Sequence, residues 1–585
     1  MNSLQRTVNL SVLYYFMDFI KKGTYFMSFI RNNKQSLLSL SVALGISLLS
    51  ACGGSSDSNE TPLTPPANNG ANEPTWVQGV FQPSSDFVAQ CQSPRSGSSP
   101  ITGIAYPDKA GSELHEKHWQ RAFTHETYLW YKEVVDKDPK NFGLVEYFNQ
   151  LKTTAVTDSG APKDQFHWMQ PTSEVEEQTQ LGVTYGYGIS FDFQSSQVPR
   201  SWQVKNVTPD TQAFDLGVSR GSKLLEIDGI DFVNTVSQSD VDAINDAMFS
   251  RNEGESHTFK FVDINNVEYE VILQTAAISG KPLQLAKTID TAQGKVGYLL
   301  LNSFNNTVVE KDLFEQFTQF SNEQITDLVV DLRYNGGGFI ALSSQLAYMV
   351  AGEVATQNKL YERIVYNDKI ASEVIPFFDV TLDLRRLIGG DSIIQENQPL
   401  PTLDLPRVYV LTTGSSCSAS ESFINALVGV GVEVIQIGDT TCGKPYGFVS
   451  EDNCGSTYFT VQFKGENHLG FGDYADGLIP TELPEAGKDY QIQGCPIQED
   501  YLNALGDEQE ILLSSALYYL AHNTCPEIEN NASLTLTQST TPRVNAASSV
   551  GTGPAVKTRT PRQDAIISDI YFDKFRDIKS KVGEQ

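Results

Sequence analysis

Val408-Tyr-Val-Leu-Thr412, Gly414-Ser-Ser-Cys-Ser-Ala-Ser-Glu421, a helical pattern over 420–429 and Val432-Glu-Val-Ile-Gln-Ile437 follow one another as strand, serine-rich turn, helix and strand. Near-continuous apolar strands on either side of a helix predict an α/β layer with substantially parallel strands. The same texture extends towards the N-terminus: Val296-Gly-Tyr-Leu-Leu-Leu301 as strand, 308–321 as helix, Thr326 to Leu332 as strand and 341–351 as helix. Between the last two lies a second turn, Val329-Val-Asp-Leu-Arg-Tyr-Asn-Gly-Gly-Gly338. Each turn would offer backbone N–H groups at the C-terminal edge of a sheet, where α/β proteins usually keep their sites. A serine at such a turn lies near the positive end of the following helix, and the next residue's N–H can help bind an oxyanion. Serine-rich turns are also ordinary helix caps, so this run alone does not decide its chemistry.

The remaining chain divides by texture. With 585 residues it exceeds what one core usually organises, which predicts several domains and tails. A small helical N-terminal domain is expected over 86–171, because Trp119, Phe123, Tyr128, Trp130, Tyr131, Val134 and Val135 recur among charges at near-helical spacing. From about 172 to 275 the pattern changes to short alternating strands, including Tyr185-Gly-Tyr-Gly-Ile-Ser-Phe-Asp-Phe193, Trp202-Gln-Val-Lys-Asn-Val207 and Lys223-Leu-Leu-Glu-Ile-Asp-Gly229. The α/β core is assigned to 276–526, and 527–585 is a Ser/Thr-rich tail.

At the N-terminus, Arg31 and Lys34 precede Leu37-Leu-Ser-Leu-Ser-Val-Ala-Leu-Gly-Ile-Ser-Leu-Leu49, followed by Ser50-Ala51-Cys52, the order of a signal peptide. Leu49-Ser50-Ala51-Cys52 looks like a bacterial lipobox, in which the thiol of Cys52 is acylated. Met27 opens a signal of conventional length, so residues 1–52 hold the signal and Met27 is a second candidate start. Residues 53–85 are too polar and too rich in Pro and Gly to bury a core and read as a tether. These features predict a cell-envelope protein, anchored to the membrane through Cys52 and facing the periplasm; Gly53 in the next place favours the outer membrane.

A formal charge of −29 argues against a nucleic-acid partner, which would require a positive field. Without Cys52 six cysteines remain, at 91, 417, 442, 454, 495 and 525, enough for three disulfides in an oxidising compartment. Cys442 with Cys454 and Cys495 with Cys525 are close in sequence, a bridge from Cys417 to Cys442 is also open, and sequence alone does not choose. No Cys-x-x-Cys pair supports zinc, and His115, His118 and His125 lack a companion carboxylate pattern, so no metal and no cofactor are expected.

Several motifs in order carry a resemblance. Asp331-Leu-Arg-Tyr-Asn-Gly-Gly-Gly338, Ser418-Ala-Ser-Glu421 and Gly443-Lys444, with Val296-Gly-Tyr-Leu-Leu-Leu-Asn-Ser-Phe304, resemble the carboxyl-terminal processing peptidases, or tail-specific proteases, over roughly 115–525. The segment 172–275 resembles their PDZ domain, with Tyr185, Gly186, Tyr187, Gly188 and Ile189 as the loop that receives a peptide's C-terminal carboxylate. The resemblance implies a multidomain α/β chain: a small helical N-terminal domain, a PDZ-like β domain and a ClpP/crotonase-like protease core. It implies Ser418 as nucleophile, Lys444 as general base, and an oxyanion hole from Ala419 with Gly338 or Gly337. Asp331 and Arg333 would hold their turn in shape, and Glu421 is open to a structural role.

A free lysine, with a reference pKa of about 10.4, is a poor base at neutral pH, and burial would tune it. Two places depart from the family pattern: the serine-to-lysine interval is 26 residues, one longer than expected, and Phe448 stands where an orienting glutamine is usual. Ser450 or Glu451 could support the lysine instead. The expected function is an envelope serine endopeptidase that takes protein or peptide substrates by their exposed C-termini; the alternative is a non-catalytic binding or scaffold protein on the same fold.

Overall fold

The computed structural model describes residues 73–527, except 101–102, 182, 251, 280 and 388–390, together with Val556. The expectations for the signal peptide, Cys52, most of the tether and the rest of the tail lie outside the described residues. No helix among the described residues is long and apolar enough to cross a membrane.

Seven strands build the core sheet, in the spatial order Leu283–Thr291, Gly294–Leu301, Asp327–Asp331, Arg407–Thr412, Glu433–Gly438, Gln491–Pro496 and Ile479–Thr481. The first two pair as an antiparallel hairpin and every later neighbour is parallel, so the sheet is partly parallel as the run of strands and helices predicts. Alternate residues serve opposite faces. Leu328, Val330, Val408 and Val410 join the cluster under the helices Val308–Glu323, Ile340–Thr356 and Ala419–Val430. Val329, Tyr409 and Leu411 join the cluster under the helix Ile511–His522. Burial on both faces explains why these strands read as apolar runs. Because Asp327–Asp331 and Arg407–Thr412 are parallel neighbours, the glycine turn and the serine turn emerge side by side.

The segment after residue 182 has its own core and its own six-stranded sheet, ordered Glu268–Gln274, Ser256–Val262, Lys223–Ile227, Ser201–Val207 and Ile189–Ser195, with Ile230–Asp231 on Lys223–Ile227. Helix Gln238–Met248 buries Val241, Ile244 and Ala247 in that core. The chain enters and leaves the segment through the antiparallel pair Val183–Gly186 and Ala276–Ser279. Thr172–Leu181, read from sequence as the start of the strand-rich region, is a helix, as its Glu- and Gln-rich composition favours.

Helices Glu113–Thr127 and Leu144–Gln150 lie where helical spacing predicts them. Their apolar faces, however, share clusters with the core: Trp119, Phe123, Tyr147 and Phe148 pack with Tyr458, and Tyr128 and Phe166 pack with Phe448, Phe459 and Val461. Strand Trp168–Pro171 adds to Ser456–Phe459. A Cys91–Cys454 disulfide closes the same contact, while Cys417 joins Cys442 and Cys495 joins Cys525. The pairing of Cys442 with Cys454 suggested by sequence proximity is therefore corrected. Docking of the N-terminal segment brings Cys91 to Cys454 from across the fold, and Cys442 turns inward to the serine turn.

Candidate active site

Ser418 ends the serine turn at the N-cap of helix Ala419–Val430, with φ +55° and ψ −115°. A non-glycine residue in that conformation costs about 1–3 kcal/mol and persists only where its surroundings dictate it. Here the neighbouring glycine turn does so. Asn335 carbonyl oxygen accepts from Cys417 N–H at 3.0 Å and from Ser420 Oγ at 2.9 Å, and Leu332 carbonyl oxygen accepts from Ser416 Oγ at 2.8 Å. The Asn335 side chain donates to Leu301 O at 3.0 Å and accepts from Gly337 N–H at 2.9 Å. One fully buried asparagine thus ties the strand Gly294–Leu301, the glycine turn and the serine turn together.

The glycines are required by space and by backbone. Gly337 has φ +107°, and a Cβ there would lie 2.8 Å from Ser418 Cβ and 3.1 Å from Ala419 N. Gly338 has φ +137° and bridges Phe304 so closely that a Cβ would meet its carbonyl carbon at 2.2 Å. Both glycines therefore border the strand end or the serine. Since Gly337 commits its N–H to Asn335, Gly338 is the better placed of the two to offer a donor. Ala419 contributes the first N–H of a helix, a position whose N–H groups lack intrahelical acceptors.

Lys444 follows the strand Glu433–Gly438 in a loop that folds back over the helix start and is 1% exposed. Its Nζ lies 4.8 Å from the Phe448 ring centre and 5.5 Å from that of Phe166. Phe448 thus gives the lysine an apolar wall where an amide was expected. Phe166 arrives from the N-terminal segment, and nothing in its local sequence signals that destination. Ser450 is half-buried and Glu451 is exposed at the start of the next strand.

Glu421 joins the two halves. Its Oε2 accepts from Ser418 N–H and from Lys444 N–H, both at 2.9 Å, and its Oε1 accepts from Gly443 N–H at 2.8 Å and Thr441 Oγ1 at 2.5 Å. Burial pushes its carboxyl above the ordinary value, and these hydrogen bonds oppose that shift without cancelling it. The Cys417–Cys442 bond, with Cα atoms 5.3 Å apart, links the residue before Ser418 to the loop of Lys444 a second time.

A second polar cluster holds the glycine turn from below. Fully buried Arg333 donates to Asp331 at 2.8 Å and 2.9 Å, to Glu510 at 2.6 Å and 2.9 Å, and to Glu499 at 3.0 Å. Glu499 also accepts from Arg220 at 2.7 Å and from Tyr334 OH at 2.7 Å, so the strand-rich segment touches the glycine turn through Arg220. Asp331 and Arg333 sit in this buried network, which fits the shaping role expected of them.

In the strand-rich segment, Tyr185 and Gly186 belong to the entry strand, and Tyr187 donates its hydroxyl to Ala247 O at 2.6 Å near the end of helix Gln238–Met248. Gly188 turns at φ +75° against Thr211, and Ile189 opens the edge strand. His115 and His118 are buried on their helix, and burial lowers His118 to about 4. His125 stacks on Phe81 at 3.7 Å. Among the described residues the one group of three potential metal ligands is Cys417, Glu421 and Cys442, and its two sulfurs are joined in the disulfide.

A strained serine at a helix start, adjoining glycines and a buried lysine loop held on the same carboxylate as the serine thus meet in one place. Residues 295–451, which contain all these groups, match the model of peptidase family S41. Among solved structures it is similar to an S41 protease assigned in Bacteroides fragilis NCTC 9343, at 22% identity over 72% of this chain and 98% of that one with a TM-score of 0.51. It is also similar to the photosystem II D1 C-terminal processing protease, at 16% identity over 70% of this chain and 99% of that one with a TM-score of 0.41. No curated protein matches the chain.

Proposed function

We propose that the protein is an envelope endopeptidase in which Lys444 activates Ser418 and the strand-rich segment, as a PDZ-like domain, receives the exposed C-terminal tail of a protein substrate. The convergence of Ser418 N–H and Lys444 N–H on one oxygen of Glu421 carries this reading, because it sets the backbones of nucleophile and base by a single atom. In its neutral form Lys444 Nζ takes the proton of Ser418 Oγ as that oxygen attacks the scissile carbonyl. The N–H groups of Ala419 and Gly338 stabilise the oxyanion, each worth roughly 2.7–4 kcal/mol. Gly337 serves by its shape. Collapse of the tetrahedral intermediate expels the amine, which takes the proton from Lys444, and water then hydrolyses the acyl-enzyme.

Ser418→Ala and Lys444→Ala should each lower cleavage of an unfolded test protein by about 10⁴-fold or more while circular dichroism stays unchanged. Sequencing the N-termini of the products would define the cut sites, and undiminished proteolysis in either variant refutes the assignment. The lipobox supports anchoring at Cys52 with the domain facing the periplasm, and three disulfides favour the same oxidising compartment. Metabolic labelling with a palmitate analogue should mark the wild type and not Cys52→Ala; an unlabelled wild type excludes the anchor.

A further inference from the structure

Beyond Glu527 one residue is described, Val556, and it is 2% exposed within the hydrophobic cluster of the strand-rich segment, with Tyr187, Phe191, Val207, Val241 and Ile244. A side chain from outside that segment can join its core only where the sheet and helix leave the core open. Strand Ile189–Ser195 is the last strand of its sheet and is paired on one side only, with Ser201–Val207, among the described residues. Helix Gln238–Met248 covers the same cluster. An extended segment between that strand and that helix would add to the sheet edge and bury every second side chain.

We propose that Val556 of this chain anchors in that groove as a tethered competitor of the tails the groove takes from substrates. The inference rests on the peptide-binding reading of the domain. Reach is ample, since residues 528–555 can span up to about 90 Å when extended. Charge is complementary, because Lys557 and Arg559 follow Val556 while helix Gln238–Met248 presents exposed Asp242 and Asp246. The occupant is internal to the chain, so it has no terminal carboxylate to give the loop Tyr185–Ile189. A substrate tail brings that carboxylate, and the competition therefore selects for true C-termini. A tether of this kind acts at an effective concentration on the order of 1 mM.

The test uses the full chain carrying Ser418→Ala, so that ligand is bound and not cut. A fluorescent decapeptide ending in Ala-Val with a free carboxylate is titrated by anisotropy, beside its C-terminal amide. Val556→Asp, and separately a chain ending at Asn545, should each bind the free-acid peptide about tenfold more tightly than the parent. A benzophenone amino acid at position 556 should crosslink to peptides within 185–195 or 238–249. Equal affinity in all three forms, or crosslinks confined to other regions, overturns the proposal and leaves tail binding standing. Binding by none of the forms overturns the peptide-binding reading and the proposal with it.

Discussion

Two buried carboxylate clusters flank the candidate active site, and they are neutralised in opposite ways. Glu421 receives backbone N–H groups of Ser418, Gly443 and Lys444 and the hydroxyl of Thr441. Glu499 receives the guanidinium groups of Arg333 and Arg220 and the hydroxyl of Tyr334. Burial raises both carboxyls. At Glu421 it prevails, whereas at Glu499 the two arginines outweigh it and hold the group below its ordinary value. The difference teaches what each cluster is for. Donors on the main chain make Glu421 a template that sets the register of two loops to within a hydrogen-bond length. Side-chain guanidiniums make the Arg333 cluster a tether, drawing together the glycine turn, Glu499, Glu510 and Arg220 from distant parts of the chain.

The comparison breaks most readily at Glu421. Glu421→Ala removes the acceptor of four donors at once, and a misplacement of about 1 Å between catalytic groups can cost on the order of 100-fold. The expected result is a fall of that size in kcat with a smaller change in KM, together with a loss of roughly 4 kcal/mol in urea unfolding from donors left buried and unpaired. Glu421→Gln keeps one accepting oxygen but turns an NH₂ towards N–H donors, so its turnover should lie between the two. A Glu421→Ala enzyme with full kcat would reduce Glu421 to an ordinary helix cap.

Much of this site is legible in the amino-acid sequence. The serine turn, the helix start after it and the glycine turn can be read from local residues, whereas the roles expected of Ser418, Ala419, Gly338 and Lys444 come from the resemblance, since a serine-rich turn alone is also an ordinary helix cap. The partly parallel core can be read because strands buried on both faces lose the polar alternation that marks an exposed face. Asn335 shows no role within its motif, since its work depends on Leu301 and Cys417, which reach it only when three strand ends align. Phe166 and the Cys91–Cys454 bond are unreadable for the same reason. They belong to contacts between segments far apart in the chain, and nothing in either segment names the other.

The tether should have the smaller effect on turnover. Arg333→Met leaves Asp331 and Glu510, both fully buried, without their guanidinium, and breaking a buried pair from one side typically costs about 3–5 kcal/mol. The urea midpoint should fall accordingly with little change in slope. Asp331 keeps the hydroxyl of Tyr298 at 2.7 Å and Glu510 keeps the N–H of Leu513 at 3.0 Å, so each stranded carboxylate retains a donor. Adding Glu510→Leu should recover part of the loss, because removing the second charge also removes its uncompensated desolvation. In conditions where the variant is folded, kcat should drop by about tenfold or less, since Glu421 and the disulfide still tie the serine turn to the loop of Lys444 and Asn335 still ties it to the glycine turn. If Arg333→Met instead lowers kcat as far as Glu421→Ala should, the arginine cluster is setting the geometry of the glycine turn directly, and the division into template and tether fails.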